Sequence, residues 1–180
     1  VLTAVSAAYG FSRFAFPLRN AGLRAMLVSQ MFPAVVTGVP LLFILDMLGL
    51  FGTTAGLVLV YATTSVPFSI WMLKGYFDAI PKDLEESARL DGASSFFVFR
   101  RVMLPLALPA IAALTILQFQ GTWNDFFWPL IIFGQGSPHL YTVQLGLAEL
   151  NFSYSTLWPM IMTGSVIAIV SASASQCGAP

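Results

Sequence analysis

Long apolar stretches separated by one extended polar segment constrain this chain more than any other feature. Residues 25–45, 56–73 and 106–127 carry almost no charge, whereas residues 83–105, DLEESARLDGASSFFVFRRVMLP, crowd acidic and basic side chains together. A helix needs about 20 predominantly apolar residues to cross the hydrocarbon core of a bilayer. Of the 180 residues, 57% are hydrophobic and 9% charged, whereas a soluble domain carries about a quarter charged residues. In lipid a chain segment must satisfy its own backbone hydrogen bonds, which a helix does. An all-α, polytopic membrane protein is therefore expected.

Taken in order, residues 1–11 are apolar but short. They have no charged leader and no small-residue cleavage site, so they read as the end of a membrane helix that begins further upstream. Pro17 closes it, and Arg13, Arg19 and Arg24 make a short basic loop. Residues 25–45 form the next expected span, with Gln30, Pro33 and Pro40 tolerated inside a bundle. A turn over 46–54 leads to a third span, 56–73, kinked or interrupted near Pro67. Gly52 and Gly56 have helix-packing spacing, a weak signal at the end of a span. A fourth span covers 106–127. Residues 134–156 read as a long polar loop bearing Tyr141, Phe152 and Tyr154, and 157–170 as a fifth span that stops early. The transmembrane domain thus covers 1–170, and the tail 171–180, SASASQCGAP, is atypical. Five spans are expected, the first and last incomplete. A truncated or frame-shifted fragment of this kind is expected to insert poorly and to form no stable complex.

The charges fix orientation. All eight basic residues, Arg13, Arg19, Arg24, Lys74, Lys82, Arg89, Arg100 and Arg101, fall in the first or third loop. Basic loops stay in the cytoplasm. The 74–104 segment is therefore expected inside and the 134–156 segment outside.

The polar segment has its own design. Asp83 stands where it can cap a helix, and Glu86 follows at capping-box spacing. A helix over 84–90 sets Leu84, Ser87 and Ala88 on one face and Glu85 and Arg89 on another. Gly92 breaks it, because glycine tolerates a left-handed cap and leaves room for a close neighbour. A second helix restarts at Ser94 or Ser95, with Phe96, Phe99 and Met103 at roughly helical spacing. It ends at Leu104-Pro105, where the chain re-enters the bilayer. On physics alone the segment suits an amphipathic helix on lipid headgroups and an element docked on a partner equally well.

Glu86-Ser87-Ala88, three residues, Gly92, nine residues and Val102-Met103-Leu104-Pro105 form a spaced pattern. It resembles the Glu-Ala-Ala…Gly…Ile-x-Leu-Pro signature of permease subunits in ATP-binding-cassette importers, with Ser for one Ala and Val for Ile. The flanking KGYFDAIPKDLEESARLDGAS and GTWNDFFWPLIIF look like the carbohydrate-uptake branch, of the maltose-type second permease. The likeness runs over about residues 1–170. It implies a helical bundle of the importer permease type with one further helix ahead of Val1. It also implies a function, ATP-driven import of a sugar or oligosaccharide. The 82–104 loop then resembles a knob seated in a cleft of an ATPase subunit, with Glu86, Ser87, Ala88, Asp91 and Gly92 as docking and turn residues. Leu104 and Pro105 mark re-entry into the membrane. The implied partners are a second permease subunit, two cytoplasmic subunits that bind ATP and magnesium, an external solute-binding protein and the lipid of a bacterial or archaeal plasma membrane. No nucleic-acid partner is expected.

The residues themselves limit the chemistry. No Gly-rich loop with GKS or GKT occurs, so no nucleotide or other cofactor is expected in this chain. His139 stands in a polar loop without metal-ligand spacing, and the single Cys177 cannot form an intrachain disulfide. With one histidine, no Ser/His/Asp site is expected, and the chain does not read as an enzyme. Ionisable residues at mid-membrane, which ion-coupled transporters use, are scarce. A structural membrane protein is the main alternative, and an ion-coupled transporter the lesser one. Gln118 and Gln120 within the fourth span, with Asn124 and Asp125 at its far end, are candidates for a translocation path, since hydroxyl-rich solutes need donors and acceptors. For Asn124 and Asp125, hydration at the membrane interface beside Trp123 and Trp128 is the competing reading.

Overall fold

Proline, glycine and the polar segment punctuate the apolar sequence into helices, and the computed structural model describes residues 1–134, 136, 138–152 and 158–177 of them. In order these are α1 (Leu2–Arg13), α2 (Arg19–Gln30), α3 (Ala34–Met47), α4 (Thr54–Ala79), α5 (Asp83–Leu90), α6 (Ser95–Val98), α7 (Leu104–Trp123), α8 (Phe127–Phe133), α9 (Val143–Phe152) and α10 (Trp158–Cys177). A π-helical stretch, Phe99–Met103, joins α6 to α7, and a 3₁₀ turn, Pro138–Leu140, precedes α9. Among the described residues there is no strand.

Among the described residues two helices are long and apolar enough to cross a membrane. They are Thr54–Ala79, 26 residues with mean hydropathy 1.5, and the continuous Ser95–Trp123, 29 residues with mean hydropathy 2.0. Only 33% and 17% of their most apolar windows are buried among the described residues, so most of that apolar surface lies uncovered there. Arg19–Gln30 and Ala34–Met47 add a third crossing if the pair counts as one broken span.

Several expected boundaries differ. Residues 25–45 are not one helix, because the chain breaks between Gln30, the last residue of α2, and Pro33, which caps α3. Proline keeps its predecessor Phe32 out of the helical region, so the break falls there. Pro67, in contrast, lies inside an uninterrupted α4. No helix ends at Leu104-Pro105, since Ser95–Trp123 runs through it. Pro105 offers no N–H and its ring crowds the carbonyl four residues back. The wider turns of Phe99–Met103, where the Leu104 N–H reaches the Phe99 carbonyl, absorb that misfit. Gly52 has φ +71° in the turn ahead of α4, and the Gly56 Cα faces the Leu50 carbonyl, so this pair shapes a turn. The 134–156 stretch is not all loop, since it contains α9, and the last helix does not stop at Val170 but continues to Cys177. The serines at 171 and 173 satisfy their hydroxyls on carbonyls of Ile167 and Ile169, which lets a polar sequence stay helical. Ser153, Tyr154, Thr156 and the final residues 178–180 lie outside the described residues.

The chain divides into two compact units. The first comprises residues 1–32 and 64–115. Its core joins Ala4, Val5, Ala8 and Tyr9 of α1 to Ile70, Leu73 and Phe77 of α4, and to Val98, Met103, Ala107 and Leu114. The small alanines at 4 and 8 let α1 lie close to its neighbours. The second unit comprises 33–63 and 116–180. Its core is Leu45, Leu57, Val60, Trp128, Ile132, Phe133 and Leu145.

Candidate functional site

The polar segment lies in the first unit and folds as a helix, a left-handed glycine and a second helix. Gly92 has φ +86°, which a residue with a Cβ rarely adopts. Around it the Ala93 N–H reaches the Ala88 carbonyl at 3.0 Å and the Gly92 N–H reaches the Arg89 carbonyl at 3.0 Å. This 6→1 and 5→2 pair is a Schellman cap, which satisfies two carbonyls at the end of α5. Nothing lies within 4 Å of where a Gly92 Cβ would stand, so within the chain it is the dihedral and not a close neighbour that calls for glycine. Ser94 caps the restart, its hydroxyl accepting from the Phe97 N–H at 3.3 Å.

At the other end the expected capping box is absent. Lys82 occupies the cap position and no side chain caps α5; Asp83 is already its first residue, and Glu86 lies one place beyond the box position. Asp83, Glu85 and Glu86 instead stand in the first turn, where negative charge meets the positive end of the helix dipole.

Glu85 is the residue that sequence reasoning misplaced. It was expected on a polar face and is 4% exposed. Arg13 Nε donates to its Oε1 and Tyr9 O–H to its Oε2, the latter at 3.2 Å. Arg13 Nη2 also donates to the Ile80 carbonyl at 2.9 Å. The available signal was the helical offset between two adjacent glutamates, which can turn one of them toward the core, combined with an arginine at the end of α1.

Of the motif residues, Glu86, Ser87, Asp91, Gly92 and Pro105 are exposed, while Ala88 and Leu104 are half-buried. Beside them stand apolar side chains with little cover: Leu90 is 89% exposed and Phe96 70%. Phe96 therefore does not share the inward face of Met103, which is fully buried. Ala88, Asp91, Gly92, Ala93, Ser94 and Phe97 line an open hollow of about 460 Å³. The segment thus presents acidic groups, a concavity and bare apolar side chains on a base held by a buried ion pair.

The polar residues near the end of α7 belong to the second unit. Asp125 is half-buried, accepting from Tyr61 O–H at 2.8 Å through Oδ2 and from the Phe127 N–H at 3.1 Å through Oδ1. It ties the chain at the start of α8 to α4, a structural use of the carboxylate. Asn124 is exposed, donates through Nδ2 to the Gln120 carbonyl at 3.0 Å, and lines an open cavity of about 470 Å³ with Gln144, Ser165, Ala168 and Ser173. Trp123 Nε1 donates to the Ala168 carbonyl at 3.2 Å. Gln118 and Gln120 are half-buried, and neither lines that cavity. Among the described residues no cluster of His, Cys, Asp or Glu has the geometry of a metal site.

The chain matches the family described as binding-protein-dependent transport system inner membrane component over residues 1–176. It is 32% identical over 170 residues to a probable ABC transporter permease protein of Pyrococcus horikoshii, covering 94% of this chain and 61% of that one. It is 35% identical over 162 residues to the arabinooligosaccharides transport system permease protein AraQ of Bacillus subtilis, with coverages of 90% and 56%. It is 33% identical over 176 residues to the maltose/maltodextrin transport system permease protein MalG of Vibrio parahaemolyticus, with coverages of 94% and 58%. The chain therefore spans about three fifths of these relatives' length. In fold it is similar to a chain in the crystal structure of a bacterial ABC transporter involved in the import of the acidic polysaccharide alginate. There the TM-score is 0.63 at 24% identity, covering 94% of this chain and 64% of that one.

Proposed function

The chain belongs to the family of inner-membrane components of binding-protein-dependent transport systems, and from that premise we propose that it serves as one permease subunit of an ATP-driven importer for a sugar or oligosaccharide. The substrate class rests on relatives named for arabinooligosaccharide and maltodextrin transport. ATP and magnesium are bound and ATP is hydrolysed by two cytoplasmic partner subunits, a second permease completes the pathway, and an external protein delivers the solute. With the broken α2–α3 pair counted as one crossing, both basic segments face the cytoplasm, as the positive-inside rule requires.

The observation that carries the reading is the form of the 83–103 segment. Exposed Glu86, a hollow at Ala88 to Phe97 and bare Leu90 and Phe96 together offer charge, shape and apolar area to a partner. A helix resting on headgroups would lay its apolar face in lipid and needs no concavity. This segment is the dock for the ATPase, and movement there is passed to the membrane helices. Asn124, with Gln118 and Gln120, contributes to the translocation path through the neutral, hydroxyl-bearing cavity that Asn124 lines, while Asp125 holds the adjoining turn in place. Neutral donors and acceptors suit a hydroxyl-rich solute that must be bound and released.

The test uses the full-length subunit assembled with its own partner permease, ATPase and binding protein in proteoliposomes. Uptake is measured with radiolabelled maltodextrin, arabinooligosaccharide and diacetylchitobiose. Wild type is expected to import one of them with ATP. Gly92→Glu is expected to assemble but to lose uptake, because it sets a Cβ at φ +86° and a new charge on the docking face. Normal uptake in that variant would refute the docking role, and ATP-independent uptake by wild type would refute the importer assignment.

A further inference from the structure

Glu85 is a buried, fully engaged carboxylate beside a motif glutamate that faces outward, and the docking role leaves it unused. Its side chain is 6% exposed and that of Arg13 is 5%. The three hydrogen bonds of this cluster span 67 to 76 residues of sequence, so none is local to a helix. Arg13 ends α1, Ile80 follows the last residue of α4, and Glu85 sits in the first turn of α5. One guanidinium thus joins three elements, with its planar fork fixing the angle between the two acceptors.

The tie continues on both sides. Ser12 Oγ donates to Asp78 Oδ1 at 2.6 Å, and Asp78 also pairs with Lys74. Arg19, at the start of α2, donates through Nε to the Phe11 carbonyl at 2.6 Å. Beneath the polar layer the Tyr9 ring packs edge-on against Phe77 of α4 at 5.8 Å and tilted against Phe99 at 4.8 Å. Tyr9 therefore touches α4 and the π-helical stretch through its ring, and α5 through its hydroxyl. In a dry site such bonds are short-ranged and directional, and a partner displaced by an ångström leaves a charge uncompensated.

We propose that Glu85, Arg13 and Tyr9 form a clamp that makes the 83–103 segment move as one body with the ends of α1 and α4, so that Glu85 is the positioning residue of the coupling segment while Glu86 faces the partner. This rests on the docking role assigned above. The clamp acts through stiffness: it adds no contact to the ATPase, but without it the segment yields locally and the membrane helices stay behind. A role in folding alone would lower the amount of assembled complex and leave the sugar imported per ATP unchanged.

The experiment measures that ratio in the reconstituted full-length complex, for the transported sugar of the panel above, in wild type, Glu85→Gln, Arg13→Lys and Tyr9→Phe. Glu85→Gln keeps shape and removes the charge; it is expected to assemble, to hydrolyse ATP at close to the wild-type rate and to lose about tenfold in sugar per ATP. Arg13→Lys keeps the charge but cannot hold Glu85 and the Ile80 carbonyl together in the forked geometry, and is expected to lose several-fold. Tyr9→Phe loses one neutral donor and is expected to lose about twofold. If Glu85→Gln fails to assemble, the other two decide. A wild-type ratio in every variant that assembles overturns the clamp, as does failure of all three to assemble, which would assign the cluster to folding. Gly92→Glu in the same assay separates the two claims. A lost ratio there with an intact one in Glu85→Gln retires only the clamp, whereas intact ratios in both retire the docking role itself.

Discussion

Two adjacent glutamates have opposite environments: Glu86 faces out while Glu85 is enclosed by Tyr9 and Arg13. The 100° step between neighbouring helix positions is enough to produce this, once one face of α5 is committed to the core. Asp125 makes a similar point. An aspartate at the end of an apolar span invites a reading as a pathway residue, yet its oxygens are held by Tyr61 O–H and the Phe127 N–H. Tyr61→Phe removes the first of these without changing packing volume. A hydrogen bond to a charged acceptor contributes roughly 1.5–3 kcal/mol, and partial exposure of Asp125 brings the expectation below that range, to about 1 kcal/mol. The midpoint of thermal unfolding in detergent is expected to fall by several degrees, and an unchanged midpoint would show that the Tyr61 bond is immaterial. Asn124→Ala, by contrast, removes a bond only to the carbonyl of Gln120 four residues back and is expected to leave the midpoint unchanged.

Among elements, α5 and the helix that follows differ in how they start. α5 has three acidic residues in its first turn and no side-chain cap, whereas Ser94 caps the restart directly. Loss of a serine cap costs about 1 kcal/mol, while one exposed charge near a helix N-terminus contributes a few tenths. Ser94→Ala is therefore expected to speed hydrogen exchange at the Phe97 amide about fivefold, and Asp83→Ala to leave exchange in α5 within about twofold. Equal effects would mean that Asp83 caps after all. The long helix beyond Ser94 shows how a proline is accommodated: Pro105 sits just past a π-helical stretch, and the helix carries on. Pro33, in contrast, coincides with a break. A proline alone does not say which outcome follows, because that depends on whether neighbouring turns can widen and whether packing holds the helix together.

For the molecule as a whole, the distribution of the eight basic residues and the count of crossings test each other. The basic segments around Arg13–Arg24 and Lys74–Arg101 share one side only if the α2–α3 pair crosses the membrane once before α4 returns. With Cys177 replaced by alanine, a cysteine at Met47, which is 87% exposed, is expected to react with an impermeant maleimide from outside intact cells. A cysteine at exposed Ser95 is expected to react only after permeabilisation. Reaction of both from one side would mean that α4 does not cross, and a cysteine at Leu18, 80% exposed, reacting from the same side as the one at Met47 would make the α2–α3 pair a re-entrant loop. Composition and periodicity determined, by themselves, that the chain is helical and membrane-embedded, because uncharged runs this long have few other ways to satisfy their backbone in lipid. The left-handed Gly92 and the restart at Ser94 were equally legible, since turn and cap preferences are local and act over three or four residues. The burial of Glu85 and the anchoring of Asp125 were decided by tertiary structure alone. Each depends on a side chain brought from a distant element, 72 residues away for Arg13 and 64 for Tyr61, and helical periodicity carries no information over such distances.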